Sequence, residues 1–267
     1  MNHLHRSLAP ISDAGWAEID EEAVRSLGHF LAARKLVDVE GPLGLDLASI
    51  SIGRVDEVKN PSDGDVTTAV RSAQPLLEIR RSFTLARAEL DAIDRGARDA
   101  DLDPVVDAAR AFANAEDTAV FRGFADGHIT GMHDASPHSI IKLSEDFDRY
   151  PNHVAKAIAV LKEAGVGGPY ALALGPKCYA GVIESTDKGG YPLLNHLSLI
   201  LGGPVVWAPA VDGAVVMSER RGDFQLTLGE DAAVGYLSHD ADTVTLELRE
   251  SMTFQALSPE AAVVLQY

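Results

Sequence analysis

DPVVDAARAFANAEDTAVFRGF, residues Asp103–Phe124, reads as one long helix. Asp103 offers a carboxylate to the free amides of the first turn, and Pro104 sits where a missing N–H costs nothing. Val105, Ala109, Phe112, Ala113, Ala119 and Val120 return at three- and four-residue spacing, Arg110, Asn114, Asp117 and Arg122 fall mostly on other faces, and Gly123 offers a stop. Such a helix of roughly 20 residues is about 30 Å long at 1.5 Å per residue. Its alanines allow close approach along its length, so it is the expected spine of a mixed helix and sheet protein.

Upstream, Ser12 or Asp13 caps a second helix in which Trp16, Ile19, Ala23, Leu27, Phe30 and Leu31 form one stripe. Beyond the Gly41-Pro42 turn the pattern becomes extended. Leu45, Leu47, Ile50, Ile52, Val55 and Val58 precede a break at Asn60-Pro61-Ser62-Asp63-Gly64, and Val66, Val70, Leu76, Leu77 and Ile79 follow it. This predicts a long hairpin or arm. Its second half has few core residues and contains Pro75, so its open edges call for cover by an ordinary flap contact or by another chain. Thr84 is placed to cap a short helix closed by Gly96, which leads into the spine.

Downstream, Val154, Ile158 and Leu161 mark a helix ending at Gly165, and Tyr170 to Leu174 reads as a buried strand. Two short helices follow, begun by Pro176 and Pro192, with a glycine-rich loop between them. The last third is strand-rich, and Asp212-Gly213 predicts a hairpin joining Val205-Val206-Trp207 to Ala214-Val215-Val216-Met217.

The 267-residue chain is long enough for a sizeable core. It has no apolar run of eighteen residues and no apolar stretch before a cleavage site near its start, so neither a membrane span nor a secretion signal is expected and the expected address is the cytosol. The single cysteine, Cys178, agrees with a reducing compartment. The net charge of −17 disfavours general binding to a phosphate backbone.

Catalytic signatures are missing. There is no G-x-S-x-G elbow, no phosphate-binding loop and no H-E-x-x-H. Gly165-Val166-Gly167-Gly168 runs into Pro169 and reads as a helix end and turn rather than a dinucleotide fingerprint. His128, His133 and His138 share a loop region without acidic or cysteine partners at ligand spacing. Cys178 reads as a structural thiol, and one of Glu116 and Asp117 as the partner of an arginine in a buried or interface ion pair.

Several blocks, taken together and in order, carry a family resemblance: LHRSLAPI from Leu4, WAEIDEEA from Trp16, ARKLVDVEGP from Ala33, FTL from Phe83, ELDAIDRG from Glu89, AEDTAVFRG from Ala115, GGPYALAL from Gly167, GYPL from Gly190, and RRGDFQLTLGED from Arg220 with VGY from Val234. The chain resembles the encapsulin shell proteins, earlier described as linocin-type bacteriocins. The resemblance implies an α+β, phage major-capsid-like fold. Residues 1–48 would hold the N-terminal helix and the first part of a peripheral domain, 49–82 an extension arm, 83–135 the peripheral domain with the spine helix, 136–220 an axial domain, and 221–267 the peripheral sheet. It also implies a nanocompartment without catalysis of its own: a homo-oligomer, expected as a 60-chain icosahedral shell, enclosing a cargo enzyme and engaging neither nucleic acid nor membrane. The cargo, a dye-decolorizing peroxidase or a ferritin-like iron oxidase, would be held by its C-terminal peptide in a groove of Leu27, Leu31, Arg34, Asp38, Val234 and Tyr236. Ser185, Thr186, Asp187, Lys188, Gly189 and Gly190 would ring a fivefold pore. Some relatives place a flavin on a tryptophan of the short helix after FTL. The matching residue here is Ala88, so no bound cofactor is expected. A phage or prophage capsid protein packaging DNA, and a bacteriocin or hydrolase, are the rival readings.

Overall fold

The structure, a computed structural model, describes residues 3–59, 65–186 and 190–267. In chain order its helices are α1 (Asp13–Phe30), α2 (Arg87–Asp94), α3 (Asp103–Phe121), α4 (Met132–Ala135), α5 (Tyr150–Glu163), α6 (Pro176–Glu184) and α7 (Leu193–Leu201). The strands are β1 (Asp38–Glu40), β2 (Ser49–Val58), β3 (Thr68–Pro75), β4 (Leu77–Ala86), β5 (Ile141–Lys142), β6 (Tyr170–Leu174), β7 (Val205–Trp207), β8 (Ala214–Ser218), β9 (Phe224–Leu228), β10 (Ala233–His239), β11 (Thr243–Ala256) and β12 (Ala262–Gln266).

The spine is α3. Every residue of its expected stripe is buried, and it packs against α1, β4 and β11. Its start differs from the expectation. Leu102 is the cap and no side chain caps the helix; Asp103 instead donates its own N–H to Asp101. Pro104 and the packed face are enough to begin the helix there, because tertiary burial outweighs one missing cap. Ser12 does cap α1, accepting from the Gly15 N–H at 3.0 Å.

Two five-stranded sheets carry the core. In the first, β11 is the axis: its Thr243–Met252 portion pairs antiparallel with β4, while β10 and then β9 line its other side. β1 joins β9 in parallel, and β10 is left as an edge strand. Thr84, expected to cap a helix, lies inside β4 opposite Thr245, and α2 starts three residues later behind Ala86. The apolar residues Phe83 and Leu85 extend the strand through the expected cap, since both are buried against the sheet's neighbours.

The second sheet runs β5-β12-β8-β6-β7, with α5 packed on β12 and β8 and α7 on β6 and β7. The hairpin expected at Asp212-Gly213 does not form. β6 lies between β7 and β8, parallel to one and antiparallel to the other. All five residues of β6 are buried, so this apolar strand takes the central position that a direct β7–β8 pairing would have closed. Gly213 instead sits at a positive φ of 91°, where a β-carbon would lie 2.2 Å from the Leu265 carbonyl oxygen of β12. Cys178 is buried, and its Sγ accepts a bond from the Tyr150 hydroxyl at 2.9 Å.

β2 and β3 form a separate two-stranded ribbon. It ends at Pro75, and the next strand, β4, belongs to the first sheet. The turn expected at residues 60–64 lies outside the described residues.

Candidate functional site

The ion pair expected of Glu116 or Asp117 is made by Glu116, and its arginine is Arg34. The mechanism begins at the end of α1. Leu31 donates its N–H to the Leu27 carbonyl, and the carboxylate of Asp117 then accepts the N–H groups of Ala32 and Ala33 at 2.9 and 2.8 Å. This clamp on the helix end turns the chain and aims Arg34 inward. Its guanidinium meets Glu116 through Nε at 3.0 Å and Nη2 at 2.6 Å, Glu250 through Nη2 at 2.7 Å, and Asp231 through Nη1 at 2.7 Å. One cation thus gathers the post-α1 turn, α3, β11 and the β9–β10 connection.

The electrostatics of this hub are uneven. Burial opposes the charge on Arg34, but Glu116, Glu250 and Asp231 outweigh it and raise its pKa. Three carboxylates share that one cation, and Glu250, buried and close to Glu116, is raised well above the ordinary carboxyl range. Its Oε1 is a buried atom without a hydrogen-bond partner. Burial likewise pushes Asp117 up to about 7, against the two backbone N–H groups that hold it.

The six residues expected to form a peptide groove lie on α1, the turn after it, β1 and β10. Leu27, Leu31 and Val234 are buried, at 8 %, 6 % and 4 % exposure, so little of each is available to a ligand in this conformation. Arg34 and Asp38 share the wall of a 330 Å³ cleft with Lys35, Glu219 and Arg221. Asp38 is bound there by Arg221 at 2.8 Å and by the Gly222 N–H at 2.6 Å, which together overcome slight burial and lower its pKa. Tyr236 lies on the outer strand β10, where its N–H donates to the Leu4 carbonyl at 2.8 Å. The chain's own residues His3–Leu8 therefore run beside that strand. His3 bonds Glu230, and Arg6 reaches Asp20 on α1. Composition and periodicity carried no signal for this contact, because its partners lie far apart in the chain and the segment itself has no repeating pattern.

A loop connects α6 to α7. Ser185 accepts from the Leu193 N–H, Thr186 bridges to Pro192, and Gly190 takes a positive φ of 79°. Asp187, Lys188 and Gly189 lie outside the described residues. Ile183, Tyr191 and Leu199 are exposed around this tip, at 55 %, 45 % and 72 %. Ala88 is exposed on α2. Among the described residues no group of three or more His, Cys, Asp or Glu is arranged to hold a metal ion, and no helix is long and apolar enough to cross a membrane.

The family model described as an encapsulating protein for peroxidase, Linocin_M18, matches residues 1–253. The chain is 52% identical to a type 1 encapsulin shell protein of Rhodospirillum rubrum, over 100% of this chain and 97% of that one. It is 46% identical to the type 1 encapsulin shell protein of Rhodococcus erythropolis, covering 99% and 100% of the two chains, and 43% identical to that of Mycobacterium tuberculosis, covering 100% of both. Among solved structures, the virus-like particle from Pyrococcus furiosus superposes with a TM-score of 0.64 at 19% identity, over 94% of this chain and 99% of that one. The Mycobacterium phage Ogopogo structure gives a TM-score of 0.54 at 13% identity, over 86% and 90%.

Proposed function

The chain belongs to the type 1 encapsulin shell-protein family, and from that premise we propose that it closes with copies of itself into a shell around a cargo enzyme. Its fold is that of capsid proteins, and it is a structural protein rather than an enzyme. The shell is of sixty copies, the smallest of the multiples of sixty that close with icosahedral symmetry, cytoplasmic, free of nucleic acid inside, and holds a peroxidase or ferritin-like iron oxidase by its C-terminal peptide.

One observation carries the reading. The β2–β3 ribbon stands off the rest of the chain with apolar residues exposed on both faces: Val55 is 62 % and Val70 56 % exposed, and Ile52 and Val58 are exposed as well. A two-stranded ribbon alone is marginal in water, so this one is completed when another copy covers it. Gln74 holds its base to the Phe254 carbonyl at 2.8 Å and to Thr253 at 3.0 Å, which fixes the direction in which it leaves the body.

On this reading the arm is the extension arm, the body around α3 and the first sheet is the peripheral domain, and the second sheet with α5 to α7 belongs to the axial domain. The tip from Ser185 to Gly190 then surrounds a fivefold pore, where Asp187 and Lys188 tune passage of small ions. Leu27, Leu31, Arg34, Asp38, Val234 and Tyr236 surround the interior surface that receives the cargo peptide, with the buried leucines exposed only as that surface opens.

Negative-stain microscopy with light scattering tests the assembly. Uniform hollow particles are expected; a protein that stays at its 28.4 kDa chain mass at every concentration overturns the proposal. The ratio of absorbance at 260 and 280 nm tests the interior, and nucleic acid inside the particles would instead favour a DNA-packaging capsid. The enzyme that copurifies with the particles identifies the cargo.

A further inference from the structure

Alternation along β4 puts Ile79, Arg81, Phe83 and Leu85 on one face of the strand, and the three apolar residues of that set are buried. Arg81 is exposed instead, where a 500 Å³ cleft opens between β4, the exposed side of α3 and the end of α1. Asn114 lines the same cleft from α3. Among the described residues neither the Arg81 guanidinium nor the side-chain amide of Asn114 has an ion-pair or hydrogen-bond partner.

The rest of the wall is apolar and aromatic. Phe30, Ala111 and Pro209 line it, and Trp207 supports Phe30 with ring centres 6.1 Å apart. The guanidinium carbon of Arg110 lies 5.2 Å from the centre of the Phe30 ring. Two acids also line the cleft, and both are engaged: Asp107 by Arg110 at 3.3 Å, and Asp117 by the N–H groups of Ala32 and Ala33. Arg81 is thus a cation in a core-facing register that the chain itself leaves unanswered, on a protein of net charge −17. Clefts of roughly 300–1,000 Å³ with apolar walls and a few convergent polar groups are the usual form of a small-molecule site.

We propose that this cleft binds a planar aromatic carboxylate. The ring lies against Phe30 beside the Arg110 guanidinium, and the carboxylate pairs with Arg81. The unpaired cation selects the acid, and the aromatic wall selects the ring. Asn114 offers one donor group and one acceptor to a substituent on that ring. None of the residues assigned to the cargo peptide or to the pore takes part.

The probe is 2-naphthoate, whose own fluorescence anisotropy reports its immobilisation, and 2-naphthamide is the neutral control of the same shape. Each is titrated into the purified full-length protein at low salt. Saturable binding of 2-naphthoate at one site per chain is expected, with 2-naphthamide about tenfold weaker. Arg81→Ala should weaken 2-naphthoate about tenfold and leave 2-naphthamide unchanged, a separation that a merely damaged fold does not give. Arg81→Gln gives the same reading if Arg81→Ala fails to accumulate. Phe30→Leu keeps the apolar bulk without the ring, and should weaken both probes about threefold. No saturable binding of 2-naphthoate overturns the site, and equal affinities of the unmodified and Arg81-substituted proteins for it overturn the role of the acid. Dispersal of assembled particles as 2-naphthoate binds, read by light scattering, would identify the cleft as a contact between copies and overturn the proposal as well.

Discussion

Arg34 shows how a single side chain can have a structural role that its sequence neighbourhood does not display. Its three acidic partners lie 82, 197 and 216 residues away in the chain. Replacing it by alanine leaves Glu116 and Glu250 buried without their cation. The expected cost is about 3–5 kcal/mol, read as a lowered unfolding midpoint in denaturant. The carboxyls around it also set a pH dependence. Glu250 and Asp117 are raised in the folded chain, Asp117 to about 7, because burial penalises their ionised forms. The folded state therefore holds more protons than the unfolded one above the ordinary carboxylate range. Their contribution to stability is complete below about pH 4 and is lost as the pH rises through the folded values. Glu250→Gln removes one of these titrations, so between pH 5 and 8 its unfolding free energy, read by denaturant titration at each pH, should fall less steeply than that of the unmodified chain, by at most about 1.4 kcal/mol per pH unit. Identical slopes would show that Glu250 is ionised throughout. That an acid of the Glu116-Asp117 pair would need an arginine was legible from the sequence. Which arginine, and that two further acids compete for it, depended on how four elements meet.

Among the elements, the amphipathic helices were the most legible. Ser12 caps α1, the stripe of α3 is buried, and that of α1 is buried at Ile19, Ala23, Leu27 and Leu31 with Trp16 and Phe30 half-buried at its margin, because a period of 3.6 residues places those side chains on one face. Ser12→Ala should cost about 1 kcal/mol, measured by chemical denaturation, since the Gly15 N–H then loses its acceptor. Strand pairing was less legible. Asp212-Gly213 has the composition of a hairpin turn, yet the strands on either side are separated by β6, which comes much earlier in the chain. The β2–β3 ribbon makes its own prediction. Val55 faces Arg71 and Val70 faces Asp56 in adjacent register positions, so the two valines point to opposite faces. Val55→Asp and Val70→Asp together should leave the melting of the body within about 0.5 kcal/mol per substitution, because both side chains are already exposed. Assembly into particles should nevertheless be lost, as seen by size exclusion and microscopy. Particles of normal yield from the doubly substituted chain would mean that this ribbon is not covered by a neighbour.

At the scale of the whole molecule, charge and exposed surface act together. Each chain carries a formal charge of −17, so bringing copies together costs repulsion that salt screens over a Debye length of about 10 Å at 0.1 M. Particle formation is therefore expected to require less protein at 0.5 M salt than at 0.05 M, and light-scattering titrations at the two salts measure it; the opposite order would place ion pairs, not apolar contact, in charge of assembly. The sequence by itself determined the amphipathic spine, an extended two-stranded segment before it, the lack of catalytic motifs and, through its ordered blocks, the family. Those properties rest on local period, turn chemistry and residue identity, which need no third dimension. The tertiary structure alone decided that β6 separates β7 from β8, that β12 joins the second sheet instead of the first, that Arg34 is shared by three acids, and that His3–Leu8 lies along β10. Each of these is a meeting of residues distant along the chain, and their partners are chosen by competition for the same edge or the same charge after the core has formed.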